Sequence, residues 1–310
     1  MSEEQLMVQV AKLYYDLERT QADIAGELGL TRWQVGRLLK DARARGIVRI
    51  EIVPQARRRP DLESALQARF GLRDAVVVPA GSDDLAADAV AQAAASYLAG
   101  LTPQPRLLGV SWGRTMAAVA HWLPQGWNDG LEIVMLNGST TIRAAGTRAS
   151  TVAERLAESA GGTATILPVP AIVGAAATRD VLERDPVIGA ILDRAAAAPA
   201  ACFGLGAIAG SVLVESGYLD EAAIARLKAA GAVGDILGRF VDADGSIVDT
   251  GLDARTIGLA PASLRDKAVV IGISAGPLKH AILKACVTAA YVNVIVTDEG
   301  SARHLLEETR

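Results

Sequence analysis

The sequence predicts an α/β protein in two parts: a small all-helical head and a larger body whose parallel sheet is covered by helices. Three observations predict it. Residues 4–46 place apolar side chains at three- and four-residue spacing. Residues 61–310 alternate continuous apolar runs with Ala-rich helical stretches, as buried parallel strands and their crossovers do. Charge divides at the same place: residues 1–60 carry eleven basic and eight acidic groups, and the remaining 250 carry twenty and twenty-seven.

The head, 1–53, opens with a helix over 4–18 whose buried stripe is Leu6, Val10, Leu13, Tyr14 and Leu17. In the next segment, QADIAGELGLTRWQVGRLLKDARARG (21–46), Ile24, Ala25 and Leu28 form a second stripe. Gly29 suits a turn that requires positive φ. Leu30 turns inward, and Thr31 is a natural N-cap. Val35, Leu38, Leu39 and Ala42 form the third stripe, and the short run IVRIEIV (47–53) reads as a strand. PQARRRP (54–60) is the linker; its Arg triplet either touches phosphate or is simply solvated.

Two short helices around a tight turn, with basic residues on the second, form a helix-turn-helix whose second helix enters the DNA major groove. A helical hairpin with a solvated basic face is the plainer alternative. Charge argues against it: residues 1–30 have net charge −4, whereas 31–59 have +7. A positive segment beginning at the second helix is what phosphate contact requires. Thr31, Arg32, Trp33, Gln34, Arg37, Lys40 and Arg43 are the expected contacts to double-stranded operator DNA. Arg32, Gln34 and Arg37 fall on the turns that reach base edges; Lys40 and Arg43 fall where phosphates lie. Trp33 either meets a thymine methyl or packs on the first helix. A head of this size is marginal alone, and a palindromic site needs a two-fold partner, so a homodimer or homotetramer is expected.

The body's strands are expected at 75–78, 107–110, 132–136, 164–167, 201–205, 268–273 and 292–296. Helices are expected at 83–100, 114–123, 149–160, 219–230, 277–288 and 299–308. Four strand ends lead into SWGRT (111–115), NGST (137–140), GAI (206–208) and SAGPLK (274–279). Each couples Gly with hydroxyl, amide or basic groups. Ligands of parallel sheets bind beyond these ends, where backbone N–H groups attract anions. Together they point to a phosphorylated or polyhydroxylated small molecule. The absence of a Walker motif and of a complete G-x-G-x-x-G argues against a nucleotide and leaves no cofactor to expect.

Other classes are excluded or disfavoured. No apolar run reaches the ~18–20 residues of a membrane span. The acidic start is unlike a signal peptide, so a cytoplasmic protein is expected. Cys202 and Cys286 lie far apart in apolar stretches and read as buried free thiols. His121, His280 and His304 have no metal-ligand spacing. An isomerase-like enzyme is the alternative function. Asp235, Asp242, Asp244 and Asp249 are its candidate bases, with no His beside them.

Nearly the whole chain resembles the SorC/DeoR-type sugar-binding transcriptional regulators. The segment 21–48 carries the resemblance in the head; GVSWGRT (109–115), VMLNG (134–138), PAIV (170–173), GAVGDILGRFVDADG (231–245), GPLK (276–279) and VNVIVTDEGSARHLL (292–306) carry it in the body. The resemblance implies a body similar to sugar-phosphate isomerases of the glucosamine-6-phosphate deaminase and ribose-5-phosphate isomerase type. It implies regulation of a carbohydrate operon through a sugar, polyol or sugar phosphate. On the matching positions, effector contacts are implied for Ser111, Gly113, Arg114 and Thr115, for Asn137, Gly138, Ser139 and Thr140, for Gly204 and Gly206, and for Asp235 and Lys279. Asp235 would accept bonds from hydroxyls and Lys279 would donate to hydroxyl or phosphate; a turn residue and an exposed lysine are the plainer alternatives. Asn137 has no amine for a Schiff base, which implies non-covalent binding there. Gly36 departs from the family, which commonly has Ser there, at a helix cost of up to ~1 kcal/mol against Ala.

Overall fold

The computed structural model describes residues 3–48, 58–79, 81, 83–139, 149–215 and 217–307. The chain divides after Gln55 into two compact units.

The first unit holds α1 (Glu3–Tyr15), α2 (Gln21–Leu28) and α3 (Arg32–Ala44). Val10, Ile24, Ala25, Val35 and Leu39 form its core. Gly29 ends α2 at φ 66°, the left-handed turn expected of it. Of the expected α1 stripe, Val10 is in the core and Leu6, Leu13 and Tyr14 pack against it; Met7 and Ala11 are buried as well, whereas Leu17 is 62% exposed. The helix stops at Tyr15 and Glu18 turns to φ 51°, so Leu17 leaves the helical phase. The strand expected at 47–53 lies mostly outside the described residues.

In the second unit, α4 (Pro60–Phe70), β1 (Asp74–Val78) and α5 (Asp83–Ala99) lead to β2 (Leu107–Val110), α6 (Arg114–Trp122) and β3 (Glu132–Met135). Then come α7 (Ala149–Ser159), β4 (Thr163–Thr165), α8 (Ala176–Arg184), α9 (Pro186–Ala197) and β5 (Ala200–Gly204). After α10 (Val212–Glu215) and α11 (Glu221–Ala229), β6 (Gly234–Ile236) and β7 (Arg239–Val241) make a separate antiparallel hairpin. The chain ends through α12 (Thr250–Asp253), β8 (Val269–Ser274), α13 (His280–Thr288), β9 (Val294–Asp298) and α14 (Glu299–Glu307).

The sheet is parallel throughout, in the order β1-β9-β8-β5-β2-β3-β4. Its strands alternate between two cores. Leu108, Val110 and Cys202 face one side with Val90, Met116 and Leu156 of α5, α6 and α7. Ala201, Phe203 and Val270 face the other with Leu66, Ile282 and Leu305 of α4, α13 and α14. Burial on both faces is why β1, β2, β3, β5, β8 and β9 read as largely apolar runs, whereas the edge strand β4 has no buried residue.

The arginines of the expected linker have defined partners. Arg58 pairs with Glu63 at 2.8 Å and donates to Ala75 O, and Arg59 pairs with Glu299 at 2.7 Å. Both belong to the body's own structure, neither of the two readings open to the sequence; Arg57 lies outside the described residues. Cys202 and Cys286 are buried free thiols, both pushed up by burial. Among the described residues no helix is long and apolar enough to cross a membrane, and no cluster could hold a metal.

Candidate functional site

Strand order places the site. From β2 the chain proceeds outward to β3 and β4; from β5 it proceeds the other way, to β8 and β9. β2 and β5 are neighbours, so the loops leaving their carboxyl ends diverge and open a crevice. A cavity of about 230 Å³ lies there. The loop after β2 lines it with Ser111, Trp112, Gly113, Arg114 and Thr115, and β3 contributes Asn137. β5 and the segment after it give Gly204–Ala207 and Ala209–Leu213, and the loop after β8 gives Ala275–Lys279. The β6–β7 hairpin adds Asp235, Leu237 and Gly238.

Asp235 is brought in by backbone pairing. Its N–H donates to Gly206 O at 2.8 Å, and Gly206 N–H donates back to Asp235 O at 3.0 Å. The approach is so close that a β-carbon on Gly206 would stand 2.0 Å from Asp235 Oδ1, which is why this strand end must be glycine. Asp235 Oδ2 accepts from Gly238 N–H at 3.2 Å. Burial raises the Asp235 carboxyl to about 6, against the opposing pull of the Gly238 bond and of Lys279. Burial likewise lowers Lys279, and the Arg114 charge lowers it further, while Asp235 works the other way. Lys279 Nζ donates to Thr115 Oγ1 at 3.3 Å, and Arg114 Nη2 donates to Gly210 O at 2.7 Å. One carboxylate therefore shares the cavity with two cations.

Two contacts, one of them buried, shape the rest of the wall. Ser111 Oγ donates to Asn137 Oδ1 at 2.9 Å, which occupies the amide oxygen and leaves Nδ2 as the group Asn137 can offer a ligand. Trp112 Nε1 donates to Gly138 O at 2.7 Å. Arg239, 2% exposed, pairs with Asp253 and donates to the carbonyls of Thr256, Gly258 and Leu259. The same 256–259 segment bonds to Leu136 and Gly138. Arg239 thus fastens the hairpin that carries Asp235 to the strand end that carries Asn137.

Of the effector residues expected from sequence, Gly138 and Ser139 do not line the cavity. Gly138 N–H donates to Ile257 O and Ser139 N–H to Val169 O, so neither is a ready anion donor. A β-carbon on Gly138 would lie 2.5 Å from Pro170 O: this glycine serves chain packing. Thr140 lies outside the described residues. Trp112, the 207–213 loop and the tip of the hairpin were not expected; a three-residue strand leaves little signal. Asp242 accepts from Asp244 and Ser246 N–H groups in a turn, and Asp249 caps α12 through Leu252 N–H.

In the first unit, α3 presents the expected basic face. Arg32, Lys40 and Arg43 are exposed. Arg37 lies 3.7 Å from Asp41 and has its guanidinium 5.9 Å from the centre of the Trp33 ring. Trp33 is 72% exposed and does not join the core, so it does not pack on α1. Thr31 and Gln34 form a capping box: Thr31 Oγ1 accepts from Gln34 N–H, and Gln34 Oε1 accepts from Thr31 N–H at 2.8 Å. A two-pronged Gln34–adenine contact would have to break that cap. Gln34→Ala should therefore cost up to about 1 kcal/mol of head stability, read from circular-dichroism melting. Unchanged melting with altered sequence preference would instead put Gln34 on the bases.

A family model described as "Putative sugar-binding domain" matches residues 55–307. The "Deoxyribonucleoside regulator" of Bacillus subtilis is 31% identical over 308 residues, covering 98% of both chains. The "Transcriptional regulator LsrR" of Klebsiella pneumoniae is 32% identical, covering 99% of this chain and 94% of that protein. The crystal structure of the full-length sorbitol operon regulator SorC from Klebsiella pneumoniae superposes with a TM-score of 0.74 at 28% identity, covering 99% of this chain and all of that one.

Proposed function

Because this chain belongs to the SorC/DeoR-type family of sugar-binding transcriptional regulators, we propose that its cavity holds a sugar, polyol or sugar phosphate whose binding alters the grip of α3 on double-stranded operator DNA. The observation that carries this is the meeting of Asp235, Lys279, Arg114 and Asn137, from four separate chain segments, at the point where the strand order reverses. Asp235 accepts from hydroxyls; Lys279 and Arg114 balance an anionic group if the effector has one; Asn137 Nδ2 donates to an oxygen. With no amine at position 137, the effector is held there without a covalent bond. A ligand changes DNA affinity only through a difference in its affinity for two conformations. The protein acts in the cytoplasm as a homodimer or homotetramer, pairing heads on repeated half-sites. Catalysis is disfavoured: Asp242 and Asp249 are engaged in local turns and caps, and among the described residues no His lines the cavity beside Asp235.

Two experiments test the proposal. A thermal-shift screen of sugars, polyols and their phosphates should find a compound that raises the melting temperature, since a ligand at 100 times its Kd adds about 2.7 kcal/mol. A full library without effect would remove the proposed ligand class. On duplexes selected by the protein from a random pool, Arg37→Ala should lose ~1–3 kcal/mol of discrimination, whereas Lys40→Ala and Arg43→Ala should weaken all sequences alike and flatten the salt dependence. Unchanged affinity and selectivity in Arg37→Ala would take α3 off the bases.

A further inference from the structure

The exposed side of α3 carries a notch in which two residues work against the stability of the free head. Trp33 leaves a large apolar ring 72% exposed. Gly36, one turn later, weakens a helix interior. Among the described residues nothing inside the head requires that glycine. It lies within regular helix, and a β-carbon there would meet only Gln21 Oε1, at an ordinary 3.5 Å. The two line one groove with Gln21, Arg32, Arg37 and Lys40. Three cations around a bare backbone and an aromatic wall fit a polyanion that also presents an apolar group. In the DNA major groove that group is the C5-methyl of thymine.

We propose that the Trp33–Gly36 notch is a thymine-methyl pocket that sets base preference at one position of each half-site. Bare Gly36 lets the base edge come close to the α3 backbone. Trp33 packs its ring against the methyl, while Arg32, Arg37 and Lys40 surround it with positive charge. This rests on α3 being the DNA-reading helix.

The test uses the full chain and duplexes it selects from a random pool. Each thymine of a selected duplex is replaced in turn by deoxyuridine, which removes only the methyl. One thymine per half-site should then show binding weakened about fourfold, the worth of one buried methyl. Trp33→Ala should bind more weakly than wild type and show no such penalty. Gly36→Ala should melt a few degrees higher, yet bind at least about tenfold more weakly, a split that a merely structural glycine would not give. The pocket is overturned if no thymine responds, if the penalty persists in Trp33→Ala, or if Gly36→Ala binds like wild type. Arg37→Ala separates the two levels: if it binds normally, the assignment of α3 fails and the pocket with it; if it loses binding while deoxyuridine has no effect, the pocket alone fails.

Discussion

Arg239→Ala should destabilise the sugar-binding unit by about 3–5 kcal/mol, because a buried guanidinium is lost from three backbone carbonyls and from the partly exposed Asp253 carboxylate. The guanidinium is 2% exposed and uses three nitrogens on four acceptors: Asp253 Oδ1 and the carbonyls of Thr256, Gly258 and Leu259. Truncation leaves those acceptors without their donor and a cavity where the side chain stood. In a unit of this size the loss corresponds to a fall in melting temperature on the order of 10 °C. Arg239→Lys should recover only part of it, because an ammonium cannot reproduce the planar fork. Chemical denaturation of the three proteins measures this; an alanine variant within about 1 kcal/mol of wild type would show that the hairpin is held by other means.

Asp235→Asn should lower effector affinity about 10- to 100-fold, the loss expected when hydrogen bonds to a charged acceptor become bonds to a neutral one. It should also change the pH dependence of stability. The folded carboxyl is raised from 3.8 to about 6, so the folded state binds the proton more tightly than the unfolded state does. This contribution to stability is fully present below pH ~4 and is lost as pH rises to about 6, because the buried charge must then form. Denaturation midpoints between pH 4 and 6 should show that decline in wild type and lack it in the variant. A decline of the same size in Asp235→Asn would assign it to another group.

How much of this was legible in the sequence depends on which residues bury their signal locally. All seven strands of the sheet fall within two residues of the apolar runs; six of them are covered on both faces and so are largely apolar, whereas the edge strand β4 is not buried. α8 was not legible: none of its residues is buried, so it has no stripe. α9, adjoining it, buries Ile188 and Ala195 alone. The β6–β7 hairpin has three-residue strands and no period to read. Lys279 stood out as part of a strand-end loop, but the place of Asp235 in the same cavity did not, because the pairing with Gly206 that brings it there is made by backbone. Arg239 gave no signal, since its partners lie 14 to 20 positions away in an irregular segment. In the head, the apolar stripes were readable for α2 and α3. The stripe of α1 was readable up to Tyr14, and only its end was overextended, because nothing in the composition fixes the stop at Tyr15.

The central claim, that cavity occupancy controls operator affinity, is tested most directly by a fluorescence-anisotropy titration. A selected duplex is titrated with wild type and with Asp235→Asn, each with and without the sugar, polyol or sugar phosphate found in the screen. The account predicts equal DNA affinity for the two apo proteins, a coupling shift of roughly 5- to 150-fold on saturating wild type with effector, and a much smaller shift in the variant than in wild type at an effector concentration near the wild-type Kd. An undiminished shift in Asp235→Asn would contradict it and place the controlling site elsewhere in the molecule.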